Sequence, residues 1–326
     1  MKKLSKLLPA FLALFLVFSF VSCDDDDDPK QPEIKTITDF VQANEANYGL
    51  LLEALTKADG GLATVLDGPG PFTVFAPNDA AFTAFLSSNG FANIDAVPTD
   101  VLSQILLNHV VSGAVKSTGL STGYIETLST LSPGSGNLNM HVNTEGGVTL
   151  NGGAKVTAAD NVLENGVVHL VDEVIGLPTI VTFATADPNF STLVAALTRA
   201  DQPDFVATLS TANGTDPAPL TVFAPTNDAF GSLLTELGAS GLDDIDEETL
   251  TATLQHHVVA GANVLSSALT DNMTVGTLGG NITANVTGGA TLTDANDRVS
   301  NIVAVDVQAA NGVIHVIDKV ILPPLN

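Results

Sequence analysis

Histidine and aspartate residues that recur in both halves of the sequence are the first candidates for chemistry. His169 and His315 stand in the same apolar context, and Asp172 and Asp318 follow them by three positions. An imidazole beside a carboxylate can act as a general base or help to bind a metal ion. Positions three apart in an ideal strand point to opposite faces, so these residues cannot pair without a bulge. We therefore expect both histidines to pack in the core and donate to a nearby carbonyl.

His109 and His257 form a second recurring pair, each at the end of a leucine-rich helical pattern. An imidazole at that place can meet the exposed carbonyl groups of the last helical turn. His256 precedes His257, but adjacent residues on a helix point to different sides, so they do not form a metal clamp. We interpret all four recurring histidines as parts of structural motifs.

Signatures of catalysis are missing from the sequence. It contains no Gly-rich phosphate loop, no histidine pair with zinc spacing and no G-x-S-x-G motif. Asp294, Asn296 and Asp297 lie close together, but the glycine and distal glutamate of an EF-hand loop are not in register. We therefore predict no enzyme activity, no catalytic or metal-binding residue and no cofactor.

Charge narrows the range of partners. The chain has 11 Lys and Arg residues against 36 Asp and Glu residues, a formal net charge of −25 at pH 7. So few cations cannot form a basic patch of any size, and the chain would repel nucleic acid and anionic lipid headgroups. We predict that nucleic acid is not a partner.

An internal repeat defines the domain organisation. Residues 73–82, which begin Thr-Val-Phe-Ala-Pro, recur as residues 221–230, and residues 165–172 recur as residues 311–318. Collinear matches of this kind predict two copies of one domain. We place the first copy at 34–177 and the second at 178–326. With almost no linker between them, the two domains are expected to lie close together.

Helical patterns come first in each copy. Residues 47–58 place apolar side chains at helical spacing, and residues 190–197 repeat that pattern. Asn78 or Asp79 is expected to cap the helix that follows residues 73–77. Thr99 is expected to cap a further helix, whose counterpart in the second copy is predicted at 247–259.

Strand patterns fill the last third of each copy. Apolar and polar residues alternate between Gly and Asn turns there, most clearly at 148–150, 155–157 and 167–175. Asn165-Gly166 and Asn311-Gly312 are tight-turn signals before the last strand. The order of helices and then antiparallel strands predicts an α+β domain rather than a doubly wound parallel sheet.

The repeated boxes resemble those of the fasciclin (FAS1) domain family. Thr-Val-Phe-Ala-Pro followed by Ala-Phe is similar to the family's first box, and Asn-Gly-Val-(Val/Ile)-His-(Leu/Val)-(Val/Ile)-Asp to its second. His109 and His257 match the Tyr-His region, although Asn108 and His256 replace its tyrosine. The resemblance implies two tandem domains, each a β-sandwich or wedge flanked by several helices. It also implies a role in adhesion or matrix binding.

The same resemblance suggests partner-binding residues. Family members that engage integrins have been linked to an Asp-Ile pair just upstream of the second box. Asp306-Val307 stands there in the second copy and Asp160-Asn161 in the first. The resemblance therefore implies partner contacts at Asp306, Val307 and Asp160. The alternative is that these aspartates are turn residues whose side chains bond local backbone.

The first residues of the chain predict export and lipid attachment. Three lysines, an apolar run from residue 7 to residue 21 and Ser22 have the layout of a secretory signal, which we place at 1–22. Phe20-Val21-Ser22-Cys23 resembles a bacterial lipobox, which implies that Cys23 becomes a lipidated N-terminus. The alternative is ordinary secretion with an incidental free cysteine.

The composition of residues 23–33 predicts an acidic tether. Five adjacent aspartates repel one another and cannot pack. They also resemble the surface-export signal of Bacteroidota lipoproteins, whereas a plain spacer is the alternative. We expect a lipid anchor in the bacterial outer membrane, with the protein at the cell surface; the periplasmic face is the alternative location.

Together these features predict a binding protein. We expect contact with extracellular matrix, polysaccharide or a surface protein, in addition to the membrane reached through the lipid anchor, and self-association is a further option. Two similar modules would raise avidity even if each contact were weak. The alternative is a module that binds a small apolar ligand such as a pigment or lipid.

Overall fold

The computed structural model describes residues 35–130, 133–134 and 136–324. The predicted signal sequence, Cys23 and the acidic tether lie outside these residues. Within them the two copies predicted from the repeat have closely similar orders of helices and strands.

The first copy combines five α-helices with seven strands in its described residues. Helices α1 to α5 span Ile37–Ala43, Glu45–Lys57, Leu62–Asp67, Asp79–Ser88 and Thr99–Asn108. Strands β1 to β7 span Phe72–Pro77, Val110–Ser112, Gly123–Glu126, Asn139–Asn143, Thr149–Leu150, Ala154–Leu163 and Gly166–Val171.

The second copy repeats this arrangement. Helices α6 to α10 span Ile180–Ala186, Ser191–Leu197, Phe205–Leu209, Asn227–Leu237 and Glu247–Gln255. Strands β8 to β14 span Leu220–Pro225, Val258–Ala260, Met273–Thr277, Gly280–Asn285, Thr291–Thr293, Val299–Ala309 and Gly312–Ile317.

Each copy forms one seven-stranded sheet. The strand order is β2-β1-β7-β6-β5-β4-β3 in the first copy and β10-β11-β12-β13-β14-β8-β9 in the second. Neighbouring strands are antiparallel except for β1 with β7 and β8 with β14, which run parallel. The sequence patterns predicted antiparallel strands and missed this parallel pair, because its two strands are separated by most of the domain.

The sheet has a buried core on each of its two faces. In the first copy Val74 and Val168 pack with the helices, while the next residue along each strand turns to the other face. That second face holds Phe75, Met140 and Val171. Because strand residues alternate between faces, one run of apolar residues supplies both cores. The two ends of the sheet also meet, since the amide of Leu128 donates to the carbonyl of Val110 (2.8 Å). The curled sheet with its helices agrees with the predicted wedge.

Several predicted ends are off by a few residues. Asn78 does cap α4, and its side chain accepts from the amide of Ala81 (2.8 Å). Thr99 does not cap α5: Pro98 holds the capping position, and the Thr99 hydroxyl donates to Asp59 instead. The helix predicted at 247–259 stops at Gln255, because its apolar run continues directly into β9. The last strand of the first copy ends at Val171, four residues before the end of the predicted 167–175 run.

Candidate functional site

The histidine of the second box lies in the inner core of each domain. His169 on β7 is fully buried and stacks on Phe75, with 5.4 Å between ring centroids. Its Nε2 lies 2.9 Å from the carbonyl oxygen of Val115, and its Nδ1 accepts from the amide of Asp160 (3.3 Å). The imidazole is thus a donor at Nε2 and an acceptor at Nδ1. The predicted hydrogen bond to a carbonyl is present, and neither nitrogen is left for catalysis.

The second copy repeats this arrangement. His315 on β14 stacks on Phe223, with 5.6 Å between ring centroids. Its Nε2 lies 2.8 Å from the carbonyl oxygen of Val264, and its Nδ1 accepts from the amide of Asp306 (3.4 Å).

Asp160 and Asp306 each lie at a shift of register within the strand before the last one, β6 or β13. Both have left-handed backbone angles, with φ of 65° and 58°. The carboxylate of Asp160 accepts from the amide and the hydroxyl of Ser117, each at 2.7 Å. Asp306 makes the same two contacts with Ser266. The two hydrogen bonds from Ser117 hold the pKa of the Asp160 carboxyl below its usual value. Each aspartate is therefore held by a serine about 40 residues earlier in the chain, and not by the local backbone contacts expected of a turn residue.

Serine, aspartate and histidine thus meet twice in this protein, but not as a catalytic triad. The Asp160 carboxylate lies 3.9 Å from His169 Nδ1, and the Ser117 hydroxyl donates to the carboxylate rather than to the imidazole. A triad needs the serine on the imidazole and the carboxylate behind it. Sequence reasoning missed Ser117 and Ser266, although their recurrence after Val115 and Val264 was a usable signal.

The residues predicted to contact a partner differ in how far they reach the surface. Val307 is only 4% exposed and packs in the core of the second domain, so it offers no surface in this conformation. The carboxylate of Asp306 is half-buried and held by Ser266. Val307 turns inward because the irregular pairing between Ala304 and Val307 shifts the strand register. Partner binding by Asp306 or Asp160 stays a prediction.

We predict that Asp306→Ala destabilises the second domain by about 2 kcal/mol, because two hydrogen bonds to a charged group are lost. Urea unfolding at neutral pH measures the difference. Asp297→Ala is the matched control, since Asp297 is exposed and has a similar φ of 57°. Equal losses in the two variants would show that backbone conformation, not the contact with Ser266, sets the effect.

The histidine at the end of the leucine-rich helix joins that helix to the segment after the last strand. His109 Nδ1 lies 2.7 Å from the carbonyl oxygen of Ile105, and its Nε2 accepts from the amide of Ile175 (2.8 Å). His257 repeats both contacts, with Thr253 (2.7 Å) and Ile321 (3.0 Å). Burial lowers the pKa of each imidazole to about 4. His256 donates separately to Ala252.

These lowered values predict a specific loss of stability in acid. The unfolded chain binds a proton near pH 6.5 and the folded histidine only near pH 4. Stability is therefore fully present above the unfolded value and is lost as pH falls towards the folded value. We expect a loss of about 3 kcal/mol for each histidine by pH 4. Urea unfolding at several pH values measures this loss. In His109→Gln one proton fewer should be taken up on unfolding, so the free energy of unfolding should depend less steeply on pH.

The asparagine of the second box joins three parts of the domain. Asn165 Oδ1 accepts from the amide of Ile37 (3.0 Å), at the start of α1. Its Nδ2 donates to the carbonyls of Leu66 (2.7 Å) and Gly68 (2.9 Å). Asn311 makes the corresponding contacts in the second copy. The sequence suggested a tight turn here, but the side chain also closes the helical layer on the sheet.

The two domains are in direct contact. The amide of Gln308 on β13 donates to Asn139 Oδ1 on β4 (2.7 Å). Beside this contact lies a groove of about 200 Å³ that contains Asp306. Tyr124 packs edge-on against Phe183, with ring centroids 5.4 Å apart. The domains therefore lie close together, as their short connection predicts.

The cavity inside the second domain is too small for a pigment-like ligand. An apolar cavity between the helices and the sheet of the second domain measures about 20 Å³. Ligand pockets are commonly about 300 Å³ or larger. Within the described ranges, no group of three or more His, Cys, Asp or Glu residues could hold a metal ion.

In the part of the chain that the structure describes, no individual helix has the length and apolar character of a membrane span. Helices Ile180–Ala186 and Pro188–Leu197, bent by 97° at a break, meet a length and composition criterion only as a pair.

The model of the Fasciclin domain family matches residues 46–178 and 188–323. The boundary predicted between residues 177 and 178 stays a prediction. Protein sll1483 of Synechocystis sp. is 41% identical over 148 residues, which are 45% of this chain and 74% of that protein.

Two further relatives are more distant. Transforming growth factor-beta-induced protein ig-h3 of Sus scrofa is 31% identical over 263 residues, which are 79% of this chain but 35% of that protein. A solved structure of a FAS1 domain pair from the insect cell adhesion molecule fasciclin I covers 84% of this chain and 95% of its own. It matches with a TM-score of 0.50 and 18% sequence identity, which supports the shared fold.

Proposed function

Because this chain belongs to the fasciclin domain family, we propose that it is an adhesion protein that works by binding rather than by catalysis. Its partner would be extracellular matrix, polysaccharide, a surface protein or a second copy of itself. The observation that carries this proposal is the docked pair of family domains. A likeness to a domain pair of an insect cell adhesion molecule supports it at the level of fold.

The chemistry of the repeated boxes supports binding over catalysis. The four recurring histidines are almost completely buried, and both ring nitrogens of each meet backbone groups. Groups used in this way hold the fold together and leave no free base for a substrate. Binding would then depend on the exposed surfaces of the domains.

We further propose that Cys23 carries a lipid anchor and that the acidic tether displays both domains outside the outer membrane. The periplasmic face is the alternative location. Anchoring in one membrane would let many copies meet a surface together, so weak contacts would add up.

A cell-attachment assay tests the proposal. Cells that lack the protein should attach to surfaces or to one another less than cells that make it. Cells that make the Cys23→Ser variant should attach as poorly as the deletion strain, because the variant would not be retained at the cell surface. Beads coated with purified protein should in turn bind the partner surface. Unchanged attachment of the deletion strain, with beads that bind no better than albumin-coated beads, would contradict the proposal.

A further inference from the structure

A polar cluster joins the two domains. Tyr124 on β3 and His141 on β4 are direct cross-strand neighbours in the first domain. Asp187 belongs to the second domain and follows the last residue of α6. The Tyr124 hydroxyl donates to Asp187 Oδ2 (3.0 Å), and His141 Nε2 lies 3.9 Å from the same oxygen.

His141 fits this cluster as a neutral side chain. It is 1% exposed, and its Nδ1 has no hydrogen-bond partner among the described residues. The Asp187 carboxylate already accepts from Tyr124 and from the amide of Asn189 (3.0 Å). A protonated imidazole would carry two N–H donors, and neither would have an acceptor at hydrogen-bond distance. The neutral ring already has one such donor, and proton uptake would add a second one and a positive charge to this buried site.

Burial and charge act on His141 in opposite directions. Burial lowers the pKa of His141, while the Asp187 carboxylate raises it by a smaller amount. Two further neighbours of His141 are uncharged: Tyr124 from β3 packs against the ring, and Asn151 from the turn after β5 accepts from the backbone amide. Burial raises the pKa of the Tyr124 phenol, so this group stays protonated and keeps donating to Asp187.

The cluster belongs to the junction rather than to the repeated fold. At the corresponding cross-strand positions of the second domain, Thr274 pairs with Thr283. Asn44 stands at the end of α1 where Asp187 stands at the end of α6. All three members of the cluster are thus replaced in the other copy, whereas the residues of the fasciclin boxes recur.

We propose that Tyr124, His141 and Asp187 form an acid-sensitive clasp, which releases the two domains from one another when His141 binds a proton. The inference does not depend on the proposed adhesion function. When the domains separate, His141 becomes accessible to water and regains its ordinary pKa of 6.5. The docked state is therefore favoured above that pH and is lost as pH falls below it. By linkage, the ratio of released to docked protein rises by up to about 30-fold between about pH 8 and about pH 5.

Tyr124 itself can report the release. The chain has two tyrosines and no tryptophan, so Tyr48→Phe leaves Tyr124 as the one fluorescent side chain of this kind. Quenching by acrylamide measures how far solvent reaches Tyr124, independently of its absolute brightness. We expect the quenching constant to rise on acidification from about pH 8 to about pH 5, with far-UV circular dichroism unchanged.

Variants of His141 test whether its protonation causes the change in the quenching constant. His141→Gln and His141→Leu, in the same Tyr48→Phe background, should give a quenching constant that does not change with pH. Glu126→Gln is the control, because it removes an exposed carboxylate that lines the groove at the same junction. It should keep the full response. A flat or falling quenching constant in the Tyr48→Phe protein overturns the clasp, and so does an acid response that survives in a His141 variant.

Discussion

Replacing Gly312 by alanine is expected to prevent the second domain from folding. Gly312 begins β14, where a Cβ atom would stand 2.1 Å from the carbonyl oxygen of Leu220 on the parallel strand β8. It would also stand 2.9 Å from Ile180 Cδ1. The nearer neighbour is backbone, so no rotation of a side chain relieves the overlap. Separating the two strands would break the parallel ladder on which the centre of the sheet depends.

We expect Gly312→Ala to cost more than about 4 kcal/mol, among the largest effects of single substitutions. Urea unfolding and proteolysis of the second domain measure it. Gly231→Ala is the control, because Gly231 lies in α9 and, apart from its chain neighbours and the backbone of its own helix, no atom lies within 4 Å of the added Cβ. That variant should be stabilised by about 0.5–1 kcal/mol through helix propensity. If both variants unfold at the same urea concentration as the natural protein, the packing assigned to Gly312 is wrong.

Asn311→Ala should have the second-largest effect, a loss of at least about 3 kcal/mol. The side chain is 1% exposed and accepts from the amide of Ile180 (3.0 Å). It also donates to the carbonyls of Leu209 (2.8 Å) and Thr211 (3.0 Å). Alanine would leave these three backbone groups without their partner in a site that water reaches poorly.

A second Asn-Gly pair in the same domain supplies the control for this prediction. Asn213 precedes Gly214 in the connection between α8 and β8, and its side chain is exposed. Asn213→Ala should change the free energy of unfolding by less than about 0.5 kcal/mol. Thermal and urea unfolding compare the two variants. An Asn311→Ala protein as stable as Asn213→Ala would mean that Asn311 acts only as a turn residue.

Much of the fold could be predicted from the sequence, because the relevant signals are local or repeated. Helical spacing, the cap at Asn78 and the recurrence of two boxes indicated the α+β class and the tandem domains. The family resemblance then supplied the arrangement of sheet and helices. The features that the sequence did not predict depend on contacts between distant residues. For example, the Asn165 side chain donates to the carbonyl of Leu66, which lies 99 residues earlier in the chain. A local pattern of Asn-Gly shows the turn but not the partners of the side chain.

The candidate sites show the same limit in another form. The recurrence of His169 and His315 indicated a shared role, and their strand pattern indicated the core. The register shift around Asp306 depends on the pairing of β13 with β14, so no local pattern showed that Val307 packs in the core. At the domain junction the informative residues are those that differ between the copies, such as Tyr124 and His141. The internal repeat was recognised from positions that match between the copies, so it gave no information about these two residues.

Protease treatment of intact cells tests the central claim of display outside the cell most directly. We predict that brief trypsin treatment releases peptides from residues 35–324, while a lipid-modified Cys23 peptide stays with the outer membrane. Peptides released only after the cells are broken, with Cys23 unmodified, would place the protein where no other cell or matrix can be bound.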